Sequence, residues 1–209
     1  MGEWEDEDVR AAVVNLKGGT AKSTSAMFLA AALSRRGRTL LVDCDPQGSA
    51  LTWAEDAEAD GRELGFNVVS IPTRDVKKRV DRLAVDYEHV VLDTPPAELD
   101  IVRAALHAAE VALVAISPSD MDINRFRPTL ELVAEVESVT DLDYRVLLTM
   151  VRRISREGRD ARAAMDALEL PVLRTEIPFL GIYRSAFGET LDELGDYEAV
   201  ADELLGVAV

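Results

Sequence analysis

The stretch Leu16-Lys17-Gly18-Gly19-Thr20-Ala21-Lys22-Ser23-Thr24 decides the fold. Upstream of it, Ala11 to Asn15 reads as a short apolar strand. Downstream, Ser25 to Arg36 carries the apolar spacing of a helix. A strand that runs into a glycine turn and then into a helix opening on Lys-Ser is the layout of a phosphate cradle. Backbone N–H groups of the turn and the positive end of the helix dipole favour an anion there. In such a cradle Lys22 reaches a terminal phosphate and the Ser23 hydroxyl sits on Mg²⁺. The alternative is a plain strand-to-helix turn that binds nothing.

The common pattern G-x-x-x-x-G-K-S/T does not fit, because Leu16 and Ala21 hold its two glycine slots. The pattern K-G-G-x-x-K-S/T does fit, with Lys17 ahead of the pair Gly18-Gly19. The sequence therefore resembles the deviant Walker A ATPases, and within them the ParA-type partition proteins. That resemblance implies a nucleotide-sandwich dimer in which Lys22 acts in cis and Lys17 reaches across to the partner's phosphates. It implies ATP and Mg²⁺ as ligands, held by the run from Lys17 through Gly18, Gly19, Thr20, Ala21, Lys22 and Ser23 to Thr24. Ala21 departs from the glycine usual at its position. If the turn needs a positive φ there, alanine costs roughly 1 kcal/mol and turnover is the property affected.

Two further strand ends carry acids. Thr39 to Asp43 is a continuous apolar run of the kind buried in a parallel sheet, and it ends in Asp43-Cys44-Asp45-Pro46-Gln47. Carboxylates at that end lie where open α/β sheets hold ligands. They either orient water and outer-shell Mg²⁺ ligands or merely cap a helix. The run resembles the family's D-x-D-P-Q motif, which implies that Asp45 positions the attacking water and Asp43 helps hold the metal shell. His89 to Asp93 is the next such strand, closed by Thr94-Pro95-Pro96. An acid there suits a metal shell opposite Ser23, and the resemblance to D-T-P-P makes Asp93 the Walker B residue.

Strands and helices alternate along the chain, which predicts an α/β fold with a mostly parallel central sheet and helices on both faces. We expect an acidic tail over residues 1–9 and a single P-loop domain over 10–209. Further helices are expected at 49–59, 76–87, 101–109, 122–139 (kinked or restarted at Pro128), 156–168 and 196–205. Further strands are expected at 66–71, 111–116, 144–150 and 171–177. Trp53 reads as a packing residue.

The single cysteine, Cys44, reads as a small buried residue, and it excludes both an internal disulfide and a four-cysteine cluster shared by two chains. No apolar run approaches the ~20 residues of a membrane span. The acidic C-terminal helix argues against membrane attachment of the MinD type, and the acidic start of the chain lacks a signal-peptide core.

The formal charge of −16 argues against nucleic-acid binding by the whole surface. The charge is segregated, however. Eight arginines and five acids lie between Arg145 and Arg184, a net of +3 that leaves −19 elsewhere. These arginines are either ion-paired on a solvated helix or a local DNA contact. On charge, Arg152, Arg153 and Arg156 of this segment are DNA candidates; the resemblance adds Arg184 and implies that the loop at Pro178 borders the adenine.

The resemblance spans about residues 10 to 190. It implies a cytoplasmic, nucleoid-associated ATPase of the short, plasmid-type class, without an N-terminal DNA-binding domain. Its partners would be non-specific DNA and a centromere-binding protein of the ParB or ParG kind, with no membrane. Rival readings are a MinD-like spatial regulator, a dethiobiotin synthetase-like metabolic enzyme, and a DNA-dependent scaffold that barely hydrolyses its nucleotide.

Overall fold

The computed structural model describes residues 8–118, 123–152 and 156–207, the side chains of 123–125 and 156–159 excepted. Six parallel strands form one sheet: β1 (Val9–Val14), β2 (Thr39–Asp43), β3 (Asn67–Ser70), β4 (His89–Asp93), β5 (Val111–Ile116) and β6 (Asp143–Leu148). Their order across the sheet is β3-β2-β4-β1-β5-β6. The helices between and after them are α1 (Lys22–Ser34), α2 (Ser49–Ala59), α3 (Val76–Leu83), α4 (Leu99–Leu106), α5 (Ile123–Glu137), α6 (Arg156–Ala167), α7 (Gly181–Arg184) and α8 (Tyr197–Leu204).

The strands read as uninterrupted apolar runs because both faces of the sheet are covered. Side chains alternate across the pleat, so Ala11 and Val13 face one layer while Ala12 and Val14 face the other. The first layer holds α1, α2, α7 and α8, and the second holds α3, α4, α5 and α6. Helix α1 lies at the centre of its layer, with Ser25 to Leu33 buried. Its alanines at 26, 30, 31 and 32 let a helix enclosed on nearly every side sit close against the sheet.

The expected helix near residue 122 forms as one element that runs through Pro128 with no restart. Proline lacks an N–H, so the helix gives up one i→i−4 bond there. The expected strand over 171–177 does not form. Only isolated parallel bridges survive, Val146 with Val172 and Val151 with Pro178. Between them the amides of Arg174 and Thr175 donate to the Glu203 carboxylate of α8, at 2.8 and 2.7 Å, instead of to a neighbouring strand. Helix α8 packs against α1, burying Tyr197, Val200, Ala201 and Leu204.

Candidate functional site

Sheet register brings the sequence motifs together. Val13 pairs with Asp93 across β1 and β4, and Asp43 pairs with Asp93 across β2 and β4. The glycine turn leaves β1 next to these two acids, at the carboxyl ends of the strands and beside the point where strand order reverses.

The turn itself is built for an anion. Gly19 has φ +77° and Ala21 has φ +64°, so the backbone visits the left-handed region twice in three residues. A Cβ added at Gly18 or Gly19 would meet no atom within 4 Å, so the space over the turn is open. The conditional expectation for Ala21 is met: an L-residue occupies a left-handed helix N-cap that favours glycine. Ala21→Gly is therefore expected to stabilise the nucleotide-free protein by about 1 kcal/mol, a rise of roughly 2–4 °C in Tm for a chain of this size. Scanning calorimetry without nucleotide checks it.

Lys22 is buried, and its Nζ donates to the Lys17 carbonyl at 3.0 Å. Burial lowers its pKa, while the charges of Asp93 and Asp45 pull it back up. The cation is thus held at the turn by two carboxylates and one carbonyl, and a phosphate oxygen can replace the carbonyl.

Asp93 is fully buried, and among the described residues neither of its carboxylate oxygens has a hydrogen-bond partner. Burial drives its pKa up to about 7; the neighbouring Ser23 hydroxyl and Lys22 charge oppose the shift, and Asp43 and Asp45 add to it. With Asp43 and Asp45 beside it and one cation, Lys22, shared among the acids, this carboxylate stands where further positive charge is favoured. Ser23 beside it supplies the second oxygen that a hard, oxygen-seeking ion takes. The residues present therefore fit Mg²⁺ next to the phosphate turn.

The two acids after β2 do different things. Asp43 spends both oxygens on backbone amides, Oδ1 accepting from Asp45 at 3.0 Å and Oδ2 from Leu51 at 2.9 Å. Burial raises its pKa against those bonds. The helix-capping alternative therefore describes Asp43 well, and its carboxylate fixes the loop that carries Asp45. Asp45 accepts from the Gln47 amide at 2.8 Å and makes no other carboxylate hydrogen bond among the described residues. Cys44 between them is buried, with its thiol pKa pushed well up by burial.

Sequence reasoning missed the polar network behind Lys17. The Asn15 side chain donates to the Ala115 carbonyl at 2.8 Å and accepts from the Lys17 amide at 2.9 Å. Thr129 of α5 accepts from the Leu16 amide at 3.1 Å and contacts Asn15 Oδ1 at 3.4 Å. Both side chains are buried. Asn15, a polar residue ending an apolar strand, was the one available signal; Thr129 left none.

Beside the turn opens an apolar cleft of about 400 Å³, walled by Gly19, Ala21 and Thr24 on one side and Pro178, Phe179 and Arg184 on the other. Pro178 thus lines the same cleft as the turn. Beneath it lies an aromatic floor in which Phe28 stacks on Tyr197 at 5.2 Å, and the Tyr197 hydroxyl meets Ser25 Oγ at 2.7 Å. At the cleft's rim two DNA candidates converge, the guanidinium groups of Arg152 and Arg184 lying 5.1 and 4.9 Å from the centre of the Phe179 ring. Other arginines are spent internally: Arg145 pairs with Asp143 at 2.5 Å and Arg162 with Glu176 at 2.5 Å. Arg153 lies outside the described residues, and of Arg156 only the backbone, at the start of α6, is described.

Comparison with known proteins agrees with this geometry. Residues 11–190 match the family described as the CobQ/CobB/MinD/ParA nucleotide binding domain. A maintenance of carboxysome distribution protein A from Gloeobacter kilaueensis is 33% identical over 206 residues, covering 92% of each chain. Protein ParA of Rhizobium radiobacter is 29% identical over 142 residues, covering 66% of this chain and 63% of that one. Cobyrinic acid a,c-diamide synthase of Mycobacterium smegmatis, solved with ADP and magnesium, superposes with a TM-score of 0.74 at 26% identity over 93% of both chains. The Cyanothece McdA–ATP complex shares the fold, with a TM-score of 0.75 at 20% identity over 98% of both chains. The chain belongs to the CobQ/CobB/MinD/ParA family of nucleotide-binding domains, within it to the ParA-type ATPases that work on ATP with Mg²⁺.

Proposed function

We propose that this chain is a DNA-dependent positioning ATPase. ATP closes two copies into a sandwich dimer, the dimer holds DNA without sequence preference, and a partner protein releases it by stimulating hydrolysis. The cargo is a replicon brought by a ParB- or ParG-like centromere-binding protein or, as the names of the carboxysome-distribution relatives suggest, an intracellular body. The observation that supports this most directly is the gathering of Arg152 and Arg184 on Phe179, in the wall of the same cleft that borders the phosphate turn.

In this mechanism Lys22 leaves the Lys17 carbonyl and binds terminal phosphate oxygens. Asp45, held by the Asp43 loop, orients the attacking water. Asp93 and Ser23 hold Mg²⁺, which when bound neutralises phosphate charge. Lys17 crosses to the partner copy, so an isolated protomer lacks one cation of its own site. Each dimer presents its arginines twice. Because every phosphate contact adds to the salt dependence of binding, doubling the contacts makes DNA affinity follow nucleotide state.

DNA binding by wild type and Arg184→Ala, with ATP and with ADP across a salt series, tests this. ATP is expected to tighten wild-type binding, and the variant is expected to reduce the slope of log K against log salt by about 2, one contact per protomer. Equal affinity in ATP and ADP would contradict the switch.

The MinD-like alternative needs an amphipathic helix free to enter a membrane, and α8 is not that helix, because its apolar face is already buried. Among the described residues no helix is long and apolar enough to cross one. The similarity to cobyrinic acid a,c-diamide synthase supports a metabolic reading as the second choice; it requires no lysine acting in trans.

A further inference from the structure

At the far end of the sheet from the phosphate turn, a cleft of about 520 Å³ opens between α2 and the start of β3. Nothing in the nucleotide or DNA chemistry above uses it. Strand β3 is an edge of the sheet. The Ile71 amide donates to the Asp43 carbonyl at 2.8 Å, so by the two-residue alternation of a parallel ladder the amides of Val68 and Ser70 face away from β2. Among the described residues no other strand or loop supplies them with a backbone partner. Such an edge accepts an added strand, and proteins usually cover or charge it for that reason.

The surroundings select the strand. Leu64 and Phe66, from the loop that leads into β3, and Val68, from the strand itself, give the cleft an apolar lining. Glu55, Glu58 and Glu63 stand around it, and among the described residues none of the three has a cationic partner. Two arginines share the lining with these three acids: Arg62 is held by Asp60 at 2.9 Å and Glu189 at 3.3 Å, and Arg38 lies over the Tyr87 ring at 5.5 Å, so negative charge stays in excess. A second copy of the chain would bring the same acids to the contact. The chain's own first eight residues hold five acids and no base. Both are repelled.

We propose that this edge is a docking site for an extended basic segment of a partner protein, which adds alongside β3 as a seventh strand and lays its cations against Glu55, Glu58 and Glu63. The cleft lies toward the amino ends of the strands, and from Val68 in its lining the added strand runs along the edge to Ser70, which is level with Asp43 in the register.

The probe is an acetylated, amidated heptapeptide alternating arginine and valine. A peptide with proline in place of each valine keeps the charge and cannot form a ladder. A glutamate–valine peptide keeps the strand and reverses the charge. Amide exchange read by NMR on the full chain is expected to slow roughly tenfold at Val68 and Ser70 with the first peptide only, a change that corresponds to about 1.4 kcal/mol. Two variants separate the contributions. The combination Glu55→Lys, Glu58→Lys and Glu63→Lys removes the rim charge, and Ser70→Pro removes an outward donor while leaving the bonds to β2. Each is expected to abolish the protection with its spectrum otherwise folded. Absence of protection at Val68 and Ser70, equal protection by the proline peptide, or protection that appears by self-association without peptide would overturn the proposal.

Discussion

Asp93→Asn is expected to abolish Mg²⁺-dependent ATP hydrolysis while making the nucleotide-free protein more stable. The two effects share one cause. A carboxylate buried with only the Ser23 hydroxyl and the Lys22 charge to offset its desolvation costs folding energy, and the protein keeps it because Mg²⁺ will face it. Its pKa of about 7 against an ordinary 3.8 corresponds to roughly 4 kcal/mol at high pH, taking 1.36 kcal/mol per unit. Asparagine removes the charge but keeps polar atoms that also lack partners, so the expected net gain is smaller, about 1–3 kcal/mol at pH 8.

The sign of the pH dependence follows from the direction of the shift. The folded chain binds the Asp93 proton more tightly than the unfolded chain does. The contribution is therefore fully present below about pH 4 and is lost as pH rises through 7. Asp43, also raised, acts in the same direction. Urea unfolding of wild type at pH 5 and pH 8 without nucleotide should show lower stability at pH 8, and Asp93→Asn should flatten that difference. Mg²⁺–ATP should restore stability to wild type at pH 8 and do little for the variant. A variant that is less stable than wild type at both pH values would mean that Asp93 is held by something other than the missing cation.

What was legible in the sequence was what lies close together along the chain. The apolar runs ending at Asp43 and Asp93 set two neighbouring strands of a covered sheet, and the glycine turn set the helix that follows. The strand expected over 171–177 was not legible as a failure, because the group that takes its amides, Glu203, is 28 residues past Thr175. The Asn15–Thr129 contact spans 114 residues and joins two unremarkable polar residues. Charge counting could find an arginine-rich segment but not its division. Arg145 and Arg162 meet acids supplied by the fold, and Arg184 lies over the Phe179 ring. The residues themselves left Asp43 and Asp45 as two strand-end acids, and only the resemblance divided them into a metal-shell and a water-positioning role. Their separation into a loop anchor and a site-facing acid depends on which amides the start of α2 brings within reach.

Lys17→Ala is expected to lose ATP-dependent dimerisation and ATP-dependent DNA binding, and to reduce turnover by about 100-fold or more, the scale of removing one preorganised cation from a phosphoryl-transfer site. Nucleotide affinity of the protomer should change only a few-fold. Two contacts that fix this residue in the turn use its backbone and survive the substitution: the amide donates to Asn15 and the carbonyl accepts from Lys22. Lys22→Ala should behave differently, losing nucleotide binding itself, since that cation already faces Asp93 and Asp45 within one chain. Thr129→Val gives the intermediate case. It removes the acceptor for the Leu16 amide and loosens the backbone next to Lys17, so dimer formation should weaken by roughly tenfold with nucleotide binding retained. Sedimentation velocity with a slowly hydrolysed ATP analogue, alongside fluorescent-nucleotide titration, separates the three. Should Lys17→Ala dimerise as the wild type does, the lysine acts within its own chain, and the similarity to small metabolic P-loop enzymes becomes the better guide to what the site transfers.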